Sequence, residues 1–309
     1  EILSSTEEKR RLYHGKVIPM TYQGCFFDEK DIGIFNESIR RMAKIGRKVT
    51  AEFVNNPEYR KGFRFSKEME DLILISPGYE EPVPVGRYDI FYNGDDEYKF
   101  CELNTDGSSA MNEDRVLGEI LFETNLMNEM KKDWEIDRFE LFHSLVKIFA
   151  KRYTRSRGVL PRTVAIVDFV DKGTTIEFEI FKKAFEEEGY LALICDPREM
   201  HYENGKLIGT DKNQKVSAPI DMVYRRVVTS DFLERIDECE EFLNAYKDNA
   251  FMMFGSFRSQ VMHSKVIFDM LLASETKRLL TDNENKFLEK HIPKTKKLLT
   301  EEDFEEVIE

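Results

Sequence analysis

The stretch from Thr163 to Cys195 constrains the fold more than any other part of the chain. Residues 163–169 hold Val164, Ala165, Ile166 and Val167 in succession, the composition of a buried strand. Residues 174–188 carry Ile176, Phe178, Ile180, Phe181 and Phe185, which form one apolar stripe on a helix. Gly189 stands where a helix C′ residue turns left-handed. Residues 191–195 are apolar again, and Asp196-Pro197 ends them. Strand, helix, strand predicts a parallel pair joined by a right-handed crossover. Residues 222–224 supply a third strand, and Asn204-Gly205 within 202–208 predicts a small hairpin. No G-x-G-x-x-G follows the first strand, so the dinucleotide fingerprint is absent.

The other regions read as helices around a second strand pair. Residues 31–55 place Phe35, Ile39, Met42, Ile45, Val49 and Phe53 at three- and four-residue steps, a helical stripe. A short apolar run over 71–76 ends at Pro77-Gly78. A helix is expected from about Ala110, carrying Leu117, Ile120, Leu121 and Leu126, and another over 137–153. Basic, polar residues 154–158 then read as a connection. At 309 residues the chain has length for two domains. An apolar content of 41% argues against disorder. Cys25, Cys101, Cys195 and Cys239 show no C-x-x-C spacing, so the expectation is reduced thiols in a cytoplasmic protein. A net charge of −13 disfavours nucleic acid and anionic membranes. No apolar run reaches membrane-spanning length.

Residues 87–106 carry the densest set of chemical groups. Asn93-Gly94 signals a turn between two alternating segments. Alternate residues of a strand share a face, so Arg87 lies with Asp89, and Glu102 with Asn104. A four-residue loop would set Arg87 opposite Glu102 and bring all four together. A five-residue loop without a bulge would part the two pairs. Two carboxylates and an amide oxygen make a hard, oxygen-only donor set suited to Mg²⁺, and a nearby guanidinium suits phosphate. The same spacing also suits an ordinary acidic hairpin with a cross-strand Arg–Glu pair, and spacing alone favours that plainer reading.

Arg-x-Asp, a turn, then Glu-x-Asn-x-Asp resembles the metal and phosphate site of the circularly permuted ATP-grasp ligases of the glutathionylspermidine synthase type. Residues 219–232, with Asp221-Met222-Val223-Tyr224-Arg225-Arg226, resemble that family's strand end. Residues 256–272 resemble its segment with a lysine before an apolar helix. The three occur in the family's order, over most of the chain from about residue 20. The resemblance implies an α/β fold, a partial permuted ATP-grasp with a Rossmann-like substrate domain and a helical N-terminal region. It implies Asp89, Glu102 and Asn104 as Mg²⁺ ligands, Arg87 as the contact to the transferred phosphoryl group, and Lys265 as a nucleotide contact. Its domains would be 1–157 with the hairpin, 158–250 as the Rossmann-like unit, and 251–309 as the start of the nucleotide-binding part. The family's glycine-rich phosphate loop is not found after Lys265, since the remaining 44 residues contain no glycine. The chain is therefore expected to be a fragment of a longer ligase.

The implied activity is ATP- and Mg²⁺-dependent joining of a small-molecule carboxylate to an amine, through an acylphosphate. A catalytically silent binding or regulatory protein of the same fold is the main alternative, and an α/β sugar- or amino-acid-binding module without nucleotide is a third. Arg225 and Arg226 end a strand, where open sheets bind ligands, and could clamp a substrate anion or form a surface ion pair with Asp231 or Glu234. Arg258 lies in a small-residue loop before a helix, which favours anions. Asp106 is expected to support the ligand set, Asp168 to face the substrate domain's site, and His263 to be structural.

Overall fold

The computed structural model describes residues 12–13, 16–17, 23–171 and 175–295. They form two compact units. One comprises residues 27–108, 228–236 and those from 255 onward; the other comprises 109–227, 237–254 and the described residues before 27.

The first unit is built on the helix Glu29–Asn55. Asp28 caps it by accepting from the Asp31 N–H, while Asp31 accepts from the Asp28 N–H, a reciprocal capping box. Met42, Ile45, Val49 and Phe53 are buried as the stripe requires, but Ile39 is 53% exposed and Ser38 takes the inward position. The apolar run at 71–76 forms the end of a second helix, Lys67–Leu74, started by the Ser66 hydroxyl, which accepts from the Met69 N–H. A hairpin of β1 (Arg87–Tyr92) and β2 (Tyr98–Asn104) lays Tyr98, Phe100 and Leu103 into the same core. Helices Ile267–Leu272 and Asp282–His291 close it with Ile267, Leu271, Phe287 and Leu288.

The second unit holds β3 (Thr163–Val167), β4 (Leu191–Cys195), β5 (His201–Glu203), β6 (Lys206–Thr210), β7 (Ser217–Pro219), β8 (Met222–Arg225) and β9 (Met252–Phe254). The expected parallel sheet is present, with the order β9-β8-β3-β4 and every pairing parallel. β5, β6 and β7 form a separate antiparallel sheet, turned at Asn204-Gly205, whose φ values of 51° and 73° match a primed hairpin turn. Helix Thr175–Glu187 makes the crossover from β3 to β4. Helix Phe142–Arg157 packs Phe149 flat on Phe254, with ring centres 4.2 Å apart, and Phe142 on Phe181. That helix absorbs the segment expected to be a connection. Residues 154–157 contain no breaker, and Gly158 ends the helix at φ 75°.

The protein is thus a mixed α/β chain. Among the described residues, no helix is long and apolar enough to cross a membrane.

Candidate functional site

The hairpin reaches its geometry by a route the sequence left open. Its loop spans residues 93–97, closed by hydrogen bonds between Asn93 N and Glu97 O (3.0 Å) and between Glu97 N and Gly94 O (3.1 Å). From Tyr92↔Tyr98 to Ile90↔Phe100 the pairing is regular; at Cys101 one extra residue enters, and the register resumes as Asp89↔Glu102 and Arg87↔Asn104. Thus Asp89, and not Arg87, stands opposite Glu102. The bulge compensates for the five-residue loop. Tyr98 and Phe100 face the core, yet so does Leu103, and Glu102 and Asn104 turn outward to join Arg87 and Asp89 on one solvent-facing patch.

The patch is internally neutralised. Arg87 Nε donates to Asp89 Oδ1 at 2.9 Å and its Nη2 to Oδ2 at 3.3 Å, a forked pair. Asn104 Nδ2 also donates to Asp89 Oδ2, at 3.3 Å. Lys265 Nζ lies 2.8 Å from Glu102 Oε1. The hydrogen bond from Lys265, with a second from Asn104, holds the Glu102 carboxyl below the usual carboxylate range despite partial burial. Asp89 and Glu102 are each about one-third exposed, at 37% and 33%, so both remain reachable from water. Their carboxylates are hard oxygen donors of the kind magnesium takes; Asn104 turns its amide nitrogen toward Asp89, so its oxygen would join them only after the amide rotates. Arg87 and Lys265 are two cations that anionic phosphates could draw off the carboxylates. The Lys265–Glu102 pair was not foreseen, because nothing local connects residues so far apart in sequence.

The neighbouring candidates take structural positions. Arg258 donates from Nε to the Ile73 carbonyl (3.3 Å) and from Nη2 to the Leu74 carbonyl (3.5 Å). It therefore satisfies the C-terminal end of helix Lys67–Leu74. Asp106 is buried and accepts from both the N–H (2.8 Å) and the hydroxyl (2.9 Å) of Thr229. Thr105, next to it, donates its hydroxyl to the Ser259 carbonyl at 2.8 Å. These contacts anchor the chain where it leaves β2. His263 is partly buried, and its Nδ1 has no hydrogen-bond partner.

In the parallel-sheet unit, Arg225 and Arg226 are 1% and 6% exposed, so neither is the surface residue that a rim ion pair would require. Arg225 donates to the Val227 carbonyl. Arg226 donates to the Tyr224 hydroxyl at 2.8 Å, pairs with Glu177 at 2.7 Å, and lies 5.6 Å over the Phe178 ring. Glu177 also accepts from the Asn112 N–H at 3.1 Å. Glu177 escaped notice in the sequence, although its place beside Phe178 on the apolar stripe was a usable signal: a carboxylate there must be paired. Asp168 follows β3, its Oδ1 accepting from the Phe169 N–H at 2.7 Å.

No protein-family model matches the chain, and no curated protein matches its sequence. Among the described residues there is no cluster of three or more His, Cys, Asp or Glu side chains able to hold a metal; the hairpin set has only two of those types, its third donor being Asn104.

Proposed function

We propose that this chain is part of an ATP- and Mg²⁺-dependent carboxylate–amine ligase of the permuted ATP-grasp kind, with the hairpin as its phosphate and metal site. One observation supports this above the rest. The bulge at Cys101 turns Glu102 and Asn104 onto the face that carries Arg87 and Asp89, and a merely structural hairpin has no need to collect these groups. Asp89, Glu102 and Asn104 would hold Mg²⁺, which would supply charge neutralisation of the triphosphate. Arg87 would contact the γ-phosphoryl group through its fork, and Lys265 would leave Glu102 for a phosphate oxygen. In the reaction, the γ-phosphoryl group passes to a substrate carboxylate oxygen and ADP leaves. An amine then attacks the acyl carbon, phosphate departs, and the amine's surplus proton goes to solvent.

A second reading has its own observation. Each carboxylate already has a cationic partner, Arg87 for Asp89 and Lys265 for Glu102, which suits a catalytically silent protein of this fold. Calorimetric titration of ATP with and without Mg²⁺ separates the two, on wild type and Glu102→Gln. Mg²⁺-dependent binding that the substitution weakens supports the ligase. No Mg²⁺-dependent binding in the longest natural form of the chain refutes it.

A further inference from the structure

The parallel-sheet unit carries a pocket of about 130 Å³ at the C-terminal ends of β3 and β4. Its place follows from topology. The chain runs from β3 to β4 on one side and returns to β8 on the other, which makes β3 the strand where the winding reverses. Open sheets bind ligands in the crevice at that point.

The pocket mixes apolar lining side chains, Val170, Phe178 and Ile194, with charged ones, Asp168, Glu179 and Lys212. Asn213 also lines it and donates to Glu179 Oε1 at 2.5 Å. The Lys212 backbone N–H is held by the Ile194 carbonyl at 3.0 Å, while its exposed ammonium has no ion pair among the described residues.

Two buried ion pairs fix the walls. Lys182 Nζ lies 2.8 Å from Asp211 Oδ2, with side chains 5% and 0% exposed. Arg226 meets Glu177 at 2.7 Å, with side chains 4% and 5% exposed. Asp211 immediately precedes the lining residue Lys212, and Glu177 immediately precedes Phe178. Buried pairs of this kind seldom stabilise a fold better than apolar residues would. They do hold the groups around a site in one arrangement.

The geometry points to a site for a small α-amino acid in this pocket. The ligand carboxylate meets the Lys212 ammonium, its ammonium meets Asp168 and Glu179, and a short side chain rests on Val170, Phe178 and Ile194. A volume of about 130 Å³ accommodates glycine, alanine or serine. Every residue used belongs to the parallel-sheet unit, so the inference does not rest on the ligase reading.

Calorimetry of the full chain with glycine, L-alanine and L-serine tests it, in buffer free of ATP and Mg²⁺. Acetate and methylammonium serve as half-ligand controls. At least one amino acid is expected to bind more tightly than either control. Lys212→Gln and Asp168→Asn should each weaken binding by about ten- to a hundredfold, the worth of one charge-assisted contact, and Lys212→Gln, at an exposed side chain, should leave thermal unfolding unchanged. Glu102→Gln should leave this binding intact. Failure of all three amino acids to bind the folded chain overturns the inference, as does acetate binding as tightly as alanine. So does amino-acid binding that ignores both pocket substitutions. Loss of Mg²⁺-dependent ATP binding with amino-acid binding intact counts against the ligase alone, and the converse counts against the pocket alone.

Discussion

Replacing Lys182 by Met isolates what the buried pair contributes. Methionine matches the length of the lysine stem and removes the ammonium, with its charge and its hydrogen bond to Asp211. Asp211 is then left with 0% exposure and no cation. It keeps backbone donors, since Ile194 N–H reaches Oδ2 at 3.0 Å, and Asn213 and Gln214 N–H reach Oδ1 at 2.9 and 2.8 Å. Breaking a buried pair costs about 3–5 kcal/mol; with these three donors retained, we expect the lower end, about 3 kcal/mol at neutral pH. Burial opposes ionisation of Asp211, but the hydrogen bonds from Lys182, Ile194 and Gln214 outweigh it and hold the carboxyl below its ordinary value. A depressed carboxyl stabilises the fold above its unfolded pKa, about 3.9, and that contribution fades as pH falls through the folded value. The gap between wild type and Lys182→Met should therefore be constant from about pH 5 to 8 and narrow below about pH 4. Native-state hydrogen exchange at the β3 and β4 amides measures it within this unit, separately from the hairpin unit. A loss under about 1 kcal/mol at neutral pH, or a gap that stays unchanged in acid, refutes the reasoning.

Two further perturbations test the frame around the sites. Burial works against ionisation of Glu284, yet Lys48 at 2.6 Å, the Thr281 capping box and Lys44 at 3.2 Å bring its pKa down to about 2. Glu284→Gln should cost about 2 kcal/mol at pH 7, allowing for the exposure of both lysines, and the difference from wild type should vanish as pH falls below about 2; urea unfolding across pH checks this. Gly158 adopts φ 75° with nothing within 4 Å of an added Cβ, so Gly158→Ala meets only backbone strain. It should lower stability by about 1 kcal/mol in the same assay.

The sequence revealed most where structure is local. The β-branched run at 164–167 and the stripe of Phe178, Phe181 and Phe185 define β3 and its crossover helix without help from distant residues. Met252, Met253 and Phe254 lack both alternation and β-branching, and they became β9 only because a fully buried edge accepts any apolar side chain. Ile39 lost its inward place to Ser38 because a stripe predicts a face and not its exact centre. The distant partners, Lys265 for Glu102 and Asp211 for Lys182, leave no local trace.

The hairpin lies between these cases. Its faces were legible and its register was not, although the signal existed. Tyr98, Phe100 and Leu103 are apolar at steps of two and then three, a slip that a regular strand cannot bury. The slip predicts an asymmetric response to length changes. Deleting Cys101 leaves Phe100 opposite Ile90 and Glu102 opposite Asp89. Tyr98, Phe100 and Leu103 then alternate inward without interruption, and the four polar groups stay outside. Inserting an alanine between Asp89 and Ile90 instead gives Cys101 a partner and restores strict alternation through Phe100. That turns Asp89 and Glu102 toward the core, which costs several kcal/mol for unpaired carboxylates. Urea unfolding should show the deletion within about 1 kcal/mol of wild type and the insertion far less stable, since a bulge residue carries little pairing of its own. Cross-strand NMR contacts between residues 89 and 102 should survive in the deletion, which keeps this pair in register. The opposite order of stabilities would show that the bulge itself holds the hairpin, and that the convergence of Arg87, Asp89, Glu102 and Asn104 depends on something other than the phase of the strand.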